Sequence, residues 1–254
     1  MLGVGARNLQ WTHILYFLIF SIIMPIYLTI FICLLILRRS VTLFQTTFYV
    51  ILVQQSIADI LTMTAYTLEK VADYTIPEVL FSLQWIGSTT VNYSYLSWFT
   101  VIRSFGISLL TLHRYLTIGK PKSWLTLRFQ SSKPFYIWLL YWVPPITFNL
   151  IFFTKTDVTY LSSETLIFIV KETNYPEISM IYLSTCSVFC TTLYVLLIRH
   201  VRRSRSSMSK SAHRELRLAF QVLLLLAALL ILFVYMFLQY NFAILDEASG
   251  VLKI

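Results

Sequence analysis

Six apolar runs, each about the length of a bilayer-spanning helix and separated by short polar segments, dominate this chain. A helix rises 1.5 Å per residue, so about 20 residues cross a hydrocarbon core of about 30 Å. The runs fall at 14–37, 43–67, 85–113, 134–154, 178–198 and 218–240. In hydrocarbon every backbone N–H and C=O needs an internal partner, so runs of this length are expected to fold as helices. The first makes a helix of about 36 Å; Pro25 is expected to bend it, and Arg38 and Arg39 close it. The third apolar stretch starts near Val79 and is too long for one crossing. Its first part is placed above the bilayer or at the start of a long tilted helix. Pro144 and Pro145 stand near the far end of the fourth run, and Tyr74 to Pro77 reads as a turn. The expectation is one all-α domain over 1–254, embedded in lipid.

Composition removes the soluble alternatives. Apolar and aromatic residues make up 57% of the chain and charged residues only 12%, about half the usual share for a soluble domain. Mean hydropathy is +0.73. The net charge of +9 would suit a nucleic-acid partner, but its cations sit in short segments between apolar runs rather than on one soluble face. No nucleic-acid motif accompanies them, so that partner is set aside. Cys33, Cys186 and Cys190 all lie inside apolar runs and read as small packing residues. Cys186 and Cys190 share one helical face, where disulfide geometry is poor, so none is expected. The first run is too long for a signal-peptide core, and no small-residue cleavage site follows it.

Charge gives the orientation. The segments after runs one, three and five hold fourteen Lys or Arg residues; the other segments hold Arg7, Lys70, Lys155, Lys171 and Lys253. Cations are retained in the cytosol, so both termini are placed outside. The carboxylates divide the same way: Glu69, Asp73, Glu78, Asp157, Glu164, Glu172, Glu177, Asp246 and Glu247 fall outside, and only Glu215 falls inside.

Two ionisable residues, Asp59 and Arg103, lie at membrane depth. A charge there costs about 2.5 kcal/mol or more, so each should face the bundle interior and find a partner. Their heights differ by about 8 Å at 1.5 Å per residue. An Arg side chain and helix tilt close much of that gap, which allows a pair across runs two and three. The alternative is that each is satisfied separately by water and backbone carbonyls.

Catalytic machinery is not evident. His13, His113, His200 and His213 show no metal-ligand spacing, and no phosphate loop or nucleophile motif is present. Neither an enzyme nor a cofactor is expected. Asn92-Tyr93-Ser94 fits a glycosylation sequon but lies too near the bilayer for use. The most distinctive segment is Thr111-Leu112-His113-Arg114-Tyr115-Leu116-Thr117-Ile118-Gly119-Lys120-Pro121. Physics alone gives Arg114 a modest role, snorkelling at a helix end.

That segment resembles the Asp-Arg-Tyr motif of rhodopsin-like G-protein-coupled receptors. Ser56-Ile57-Ala58-Asp59-Ile60-Leu61 resembles their second-helix segment with its buried Asp. More narrowly, the chain resembles the nematode serpentine chemoreceptors, class V most closely and class gamma next. Tyr141-Trp142-Val143-Pro144-Pro145, Val188-Phe189-Cys190 and the stretches Ser209 to Ser211 and Ala219 to Leu223 carry this resemblance with His113-Arg114-Tyr115. It implies a seven-helix receptor that senses an external small molecule and signals to a heterotrimeric G protein. By position, His113, Arg114 and Tyr115 would serve G-protein coupling, with Arg114 holding the inactive state. Asp59, with Arg103, would belong to a buried polar core. Arg199, Arg202, Arg203, Arg205, Lys210, Arg214 and Arg217 would form the basic cytosolic contact.

The departures from the wider family are specific. His113 replaces the acid before Arg114, so the usual local ion pair is absent. No Cys stands in the outer segments, run six lacks a Trp-x-Pro bend, and Arg103 argues against an ion site beside Asp59. Six of seven helices are present, so the sequence reads as a fragment, a truncated gene model or a shortened isoform. Two other readings compete. A transporter or channel would use Asp59 and Arg103 as a polar pathway, although six glycines and no visible repeat fit it poorly. A truncated membrane protein without signalling activity is the other.

Overall fold

The computed structural model of the protein describes residues 11–41, 45–153, 157–162, 166, 168–172, 175–204 and ten residues between 223 and 238. Helix α1 is Trp11–Ser40, α2 Thr47–Thr75, α3 Pro77–Ser82, α4 Ser88–Gly119, α5 Trp124–Ser131, α6 Pro134–Phe153 and α7 Tyr175–Ser204. A 3-10 turn, Leu83–Ile86, joins α3 to α4. Strands β1, Asp157–Tyr160, and β2, Phe168–Glu172, pair antiparallel between α6 and α7. The ten described residues between 223 and 238 are helical. Helices α1, α2, α4 and α7 are each long and apolar enough to cross a membrane, and α6 adds 20 mostly apolar residues. The fold is that of an all-α membrane protein.

Several boundaries differ from those read in the sequence, each for a local reason. Helix α2 continues to Thr75 rather than ending at 67. Its added turns carry Glu69, Lys70 and Asp73, and Lys70 Nζ lies 3.1 Å from both carboxylates, so the charges neutralise one another on the helix. Helix α4 starts at Ser88 rather than 85 because Gly87 adopts φ +79°, a left-handed conformation that breaks the preceding 3-10 turn. It then runs on to Gly119, so His113-Arg114-Tyr115 lies within the helix rather than at its edge. The segment after α4 contains α5, capped by Ser123, whose hydroxyl accepts from the Thr126 N–H at 3.2 Å. The segment 155–177 contains the β-hairpin.

The two ends of the bundle differ in charge. The end of α1 and the starts of α2 and α6 lie with the C-terminal ends of α4 and α7 at a basic end. The opposite, acidic end carries Glu69, Asp73 and Glu78. Helix α4 is the central element and packs against α2, α6 and α7. The core contains Phe48, Ile51, Ala58, Ile102, Leu110, Tyr141, Leu183 and Cys190, all buried. Helix α1 packs on α2 and buries none of its most apolar stretch, leaving residues such as Ile22 and Ile30 facing outward. Lipid is their natural solvent. Cys186 and Cys190 are buried on α7, Cys33 is exposed on α1, and all three thiols are free.

Between helices in lipid, close packing replaces the hydrophobic drive, which favours small residues at contacts. Small residues line the contacts of α4: Ala58 of α2 is fully buried, and on the side of α7 Ser104 is fully buried and Ser108 nearly so, with Ser108 Oγ 3.4 Å from Cys190 Sγ. Gly106 is the tightest point. A Cβ there would overlap the Gln55 side-chain carbonyl and approach the Tyr141 hydroxyl to 2.6 Å. Gly119 differs, because a Cβ there would meet Tyr115 at 3.4 Å, an ordinary contact. Alanine is favoured over glycine inside helices by about 1 kcal/mol, a gain that applies in full only at Gly106, because Gly119 is the last residue of α4. Gly106→Ala is nevertheless expected to lose about 1–3 kcal/mol through overpacking, while Gly119→Ala holds or gains stability. Thermal unfolding of the two purified variants checks this; equal midpoints would contradict the close approach.

Candidate functional site

The first part of the candidate site is a polar network at mid-depth. Gln55 and Asp59 are one turn apart on α2 and face α4. The Arg103 Nε atom on α4 lies 2.5 Å from Asp59 Oδ1. Gln55 donates to the same oxygen at 3.3 Å. The other carboxylate oxygen accepts from the Tyr27 hydroxyl of α1 at 2.9 Å. Gln55 in turn accepts from the Tyr141 hydroxyl of α6 at 3.0 Å. Alongside, Trp142 donates to the Gln54 side-chain carbonyl at 2.8 Å. One carboxylate thus joins α1, α2, α4 and α6. The Asp59 side chain is 9% exposed and that of Arg103 38%, so the carboxylate is the more enclosed member.

This arrangement follows from the cost of charge in hydrocarbon. An isolated carboxylate or guanidinium there costs about 2.5 kcal/mol or more, and a pair neutralises both. The remaining lone pairs of Asp59 are filled by Gln55 and Tyr27, the condition under which a buried ion pair is tolerated. Sequence alone does not single out Tyr27, Gln55 or Tyr141. The readable signal was Gln54-Gln55 inside an apolar run, one turn before Asp59.

The second part lies at the basic end of α4. Arg114 is 1% exposed, and its guanidinium carbon sits 3.3 Å from the centre of the Phe48 ring on α2. Stacking on a ring face is one of the few favourable places for a guanidinium with so little water around it. His113 is also buried, 6.0 Å from the Phe48 ring and 6.1 Å from the Phe129 ring of α5. Its Nδ1 has no hydrogen-bond partner among the described residues. Tyr115 is half-buried against the same core. Helix α5 is strapped beneath: Thr126 donates to the Lys120 carbonyl at 2.7 Å, and Thr47 donates to the Phe129 carbonyl at 3.1 Å. Arg114 is therefore covered rather than snorkelling, and Phe48 is the contact that sequence reading did not find.

The remaining basic residues divide by position. Arg199, Arg202 and Arg203 are exposed at the end of α7. Arg205, Lys210, Arg214 and Arg217 lie outside the described residues. The structure does not bring Asp59 and Arg114 together; Arg114 and Arg103 are 11 positions apart on α4.

At the acidic end, the Tyr95 hydroxyl donates to Glu69. The hairpin packs on α4. Asn92 donates to the Tyr160 hydroxyl at 2.9 Å, and the Tyr160 N–H donates to the Gln84 side chain at 3.2 Å. The Asn92 amide of the sequon is thus engaged with the hairpin. Burial raises the Tyr160 phenol above its usual range, against the opposing pull of its bond to Asn92.

These features define a multi-pass helical membrane protein with a paired charge in its middle and a covered arginine at its basic end. The chain matches the family described as serpentine type 7TM GPCR chemoreceptor Srv over residues 16–251. It belongs to that family, a chemoreceptor family and not an enzyme family. No curated protein matches the chain.

The Phe48–Arg114 contact is testable by a double-mutant cycle. Phe48→Leu keeps an apolar side chain but removes the ring face. It is expected to lose more stability beside Arg114 than beside Arg114→Met, the difference being about 0.5–2 kcal/mol. Thermal unfolding of the four proteins measures it, and strictly additive effects would contradict the contact.

Proposed function

We propose that this chain is a chemosensory receptor that binds an external small molecule and signals to a heterotrimeric G protein at its basic end. The basic end then faces the cytosol of the plasma membrane, and the N-terminus faces outward. The charge division along the sequence supports that sidedness, with fourteen cations on one set of segments.

The single observation that carries the reading is the state of Arg114. It stands in a segment that resembles the Asp-Arg-Tyr motif, at the basic end of the central helix, almost wholly buried with its guanidinium on the Phe48 ring. Buried in this way it is withheld from any partner in the cytosol. Activation on this reading separates α4 from the start of α2, uncovers Arg114 and presents it beside Arg199, Arg202 and Arg203. With His113 in place of an acid, the ring of Phe48 is one of the contacts that restrain Arg114. The Asp59–Arg103 network sits about 16 Å above Arg114 along α4, at 1.5 Å per residue. It joins four helices, so a ligand that shifts one of them shifts the α2–α4 contact.

The transporter reading has less support. A polar pathway needs charges that water and solute can reach, whereas Asp59 is enclosed by its partners.

Agonist-dependent G-protein activation in cells expressing the receptor tests the proposal. Arg114→Ala is expected to abolish activation at unchanged surface expression, at least tenfold below the parent. Activation unchanged by Arg114→Ala would overturn the role given to Arg114.

A further inference from the structure

A cavity of about 510 Å³ opens at the basic end, and neither Arg114 nor Phe48 lines it. It is lined by Leu35, Arg38 and Arg39 at the end of α1, Gln45 before α2, and Pro134 at the start of α6. We propose that this cavity is a binding site for the phosphorylated headgroup of an anionic membrane phospholipid.

Four observations point to that ligand. The cavity volume falls in the range of small-ligand sites. Its two guanidinium groups have no ion-pair partner among the described residues, and no carboxylate lines the cavity. Two adjacent arginines without counter-charge are a phosphate site in chemical terms, since each guanidinium offers a planar fork of donors. Pro134 opens a helix of 20 residues, and a helix N-terminus adds partial positive charge.

The fourth observation favours a lipid over a free phosphate. The start of α6 carries Phe135, Tyr136 and Trp138, all strongly exposed, with the Phe135 and Trp138 rings stacked 6.5 Å apart. Exposed aromatic residues beside an apolar helix mark the level of the lipid headgroups. On α1, Ile36 beside Leu35 is exposed too. Acyl chains would lie against this surface while the headgroup enters the cavity. The proposal rests on the orientation given above only for which leaflet supplies the lipid. Cytosolic leaflets carry the anionic phosphoinositides and phosphatidylserine, and basic pockets between helices on that side hold such headgroups.

The test uses the purified full chain in neutral detergent, where sidedness plays no part, so failure of binding and failure of the orientation are separate results. Native mass spectrometry would count bound molecules of a short-chain phosphatidylinositol bisphosphate, with phosphatidylcholine as the neutral probe. Soluble inositol trisphosphate and inorganic phosphate form two further arms. The expected result is binding of the phosphoinositide well above phosphatidylcholine. Arg38→Gln and Arg39→Gln should each weaken it about fivefold, and the double variant about 25-fold, taking about 1 kcal/mol per cation near a surface. Lys122→Gln, an exposed cation elsewhere at the basic end, should leave binding unchanged. Equal loss with Lys122→Gln would reduce the effect to general surface charge and overturn the site. So would unchanged binding by the double arginine variant, or soluble headgroup and phosphate binding as tightly as the lipid.

Discussion

The structure depends on the ion pair between Asp59 and Arg103. Lipid supplies no hydrophobic force to bring helices together and no water to solvate a charge. Two opposite charges at similar depth there gain by meeting, and meeting fixes the rotation and height of α2 against α4. Tyr27 and Gln55 complete the shell of Asp59, and Tyr141 binds Gln55. Gly106 supplies the room for it, because any side chain there would occupy the space of Gln55 and Tyr141. A polar cluster and a missing Cβ thus work together to set the spacing of three helices.

At the basic end the problem is similar and the solution differs. Arg114 is almost wholly buried, and its guanidinium lies over the Phe48 ring of α2. Under the proposed function, a separation of α2 from α4 releases the contact of Arg114 with Phe48, and because the Asp59–Arg103 pair joins the same two helices, a change at the pair moves that contact.

Much of the architecture was legible because lipid makes the pattern simple. Long apolar runs fold as helices in hydrocarbon, and the two intramembrane charges stood out against them at Asp59 and Arg103. What the sequence left open was which of two fates those charges had. Tyr27 and Tyr141 were hidden among sixteen tyrosines, and although Gln54-Gln55 stood out inside an apolar run, nothing in the sequence showed which of the two meets Asp59. Phe48 was hidden among nineteen phenylalanines, since nothing in one sequence marks a ring that covers a guanidinium. Boundaries were read short where charges neutralise within a helix, as at Glu69, Lys70 and Asp73. The hairpin at Asp157–Tyr160 and Phe168–Glu172 was not legible, being short and set in a polar segment.

The central claim is that Asp59 and Arg103 hold the bundle together as a pair. The most direct measurement is the thermal stability of the purified receptor in a four-protein set: parent, Asp59→Asn, Arg103→Gln and the double variant. The account predicts that each single change is strongly destabilising, because it strands the opposite charge. The double change then recovers much of the loss, with a coupling of about 1–3 kcal/mol. Single losses that simply add in the double variant would contradict it.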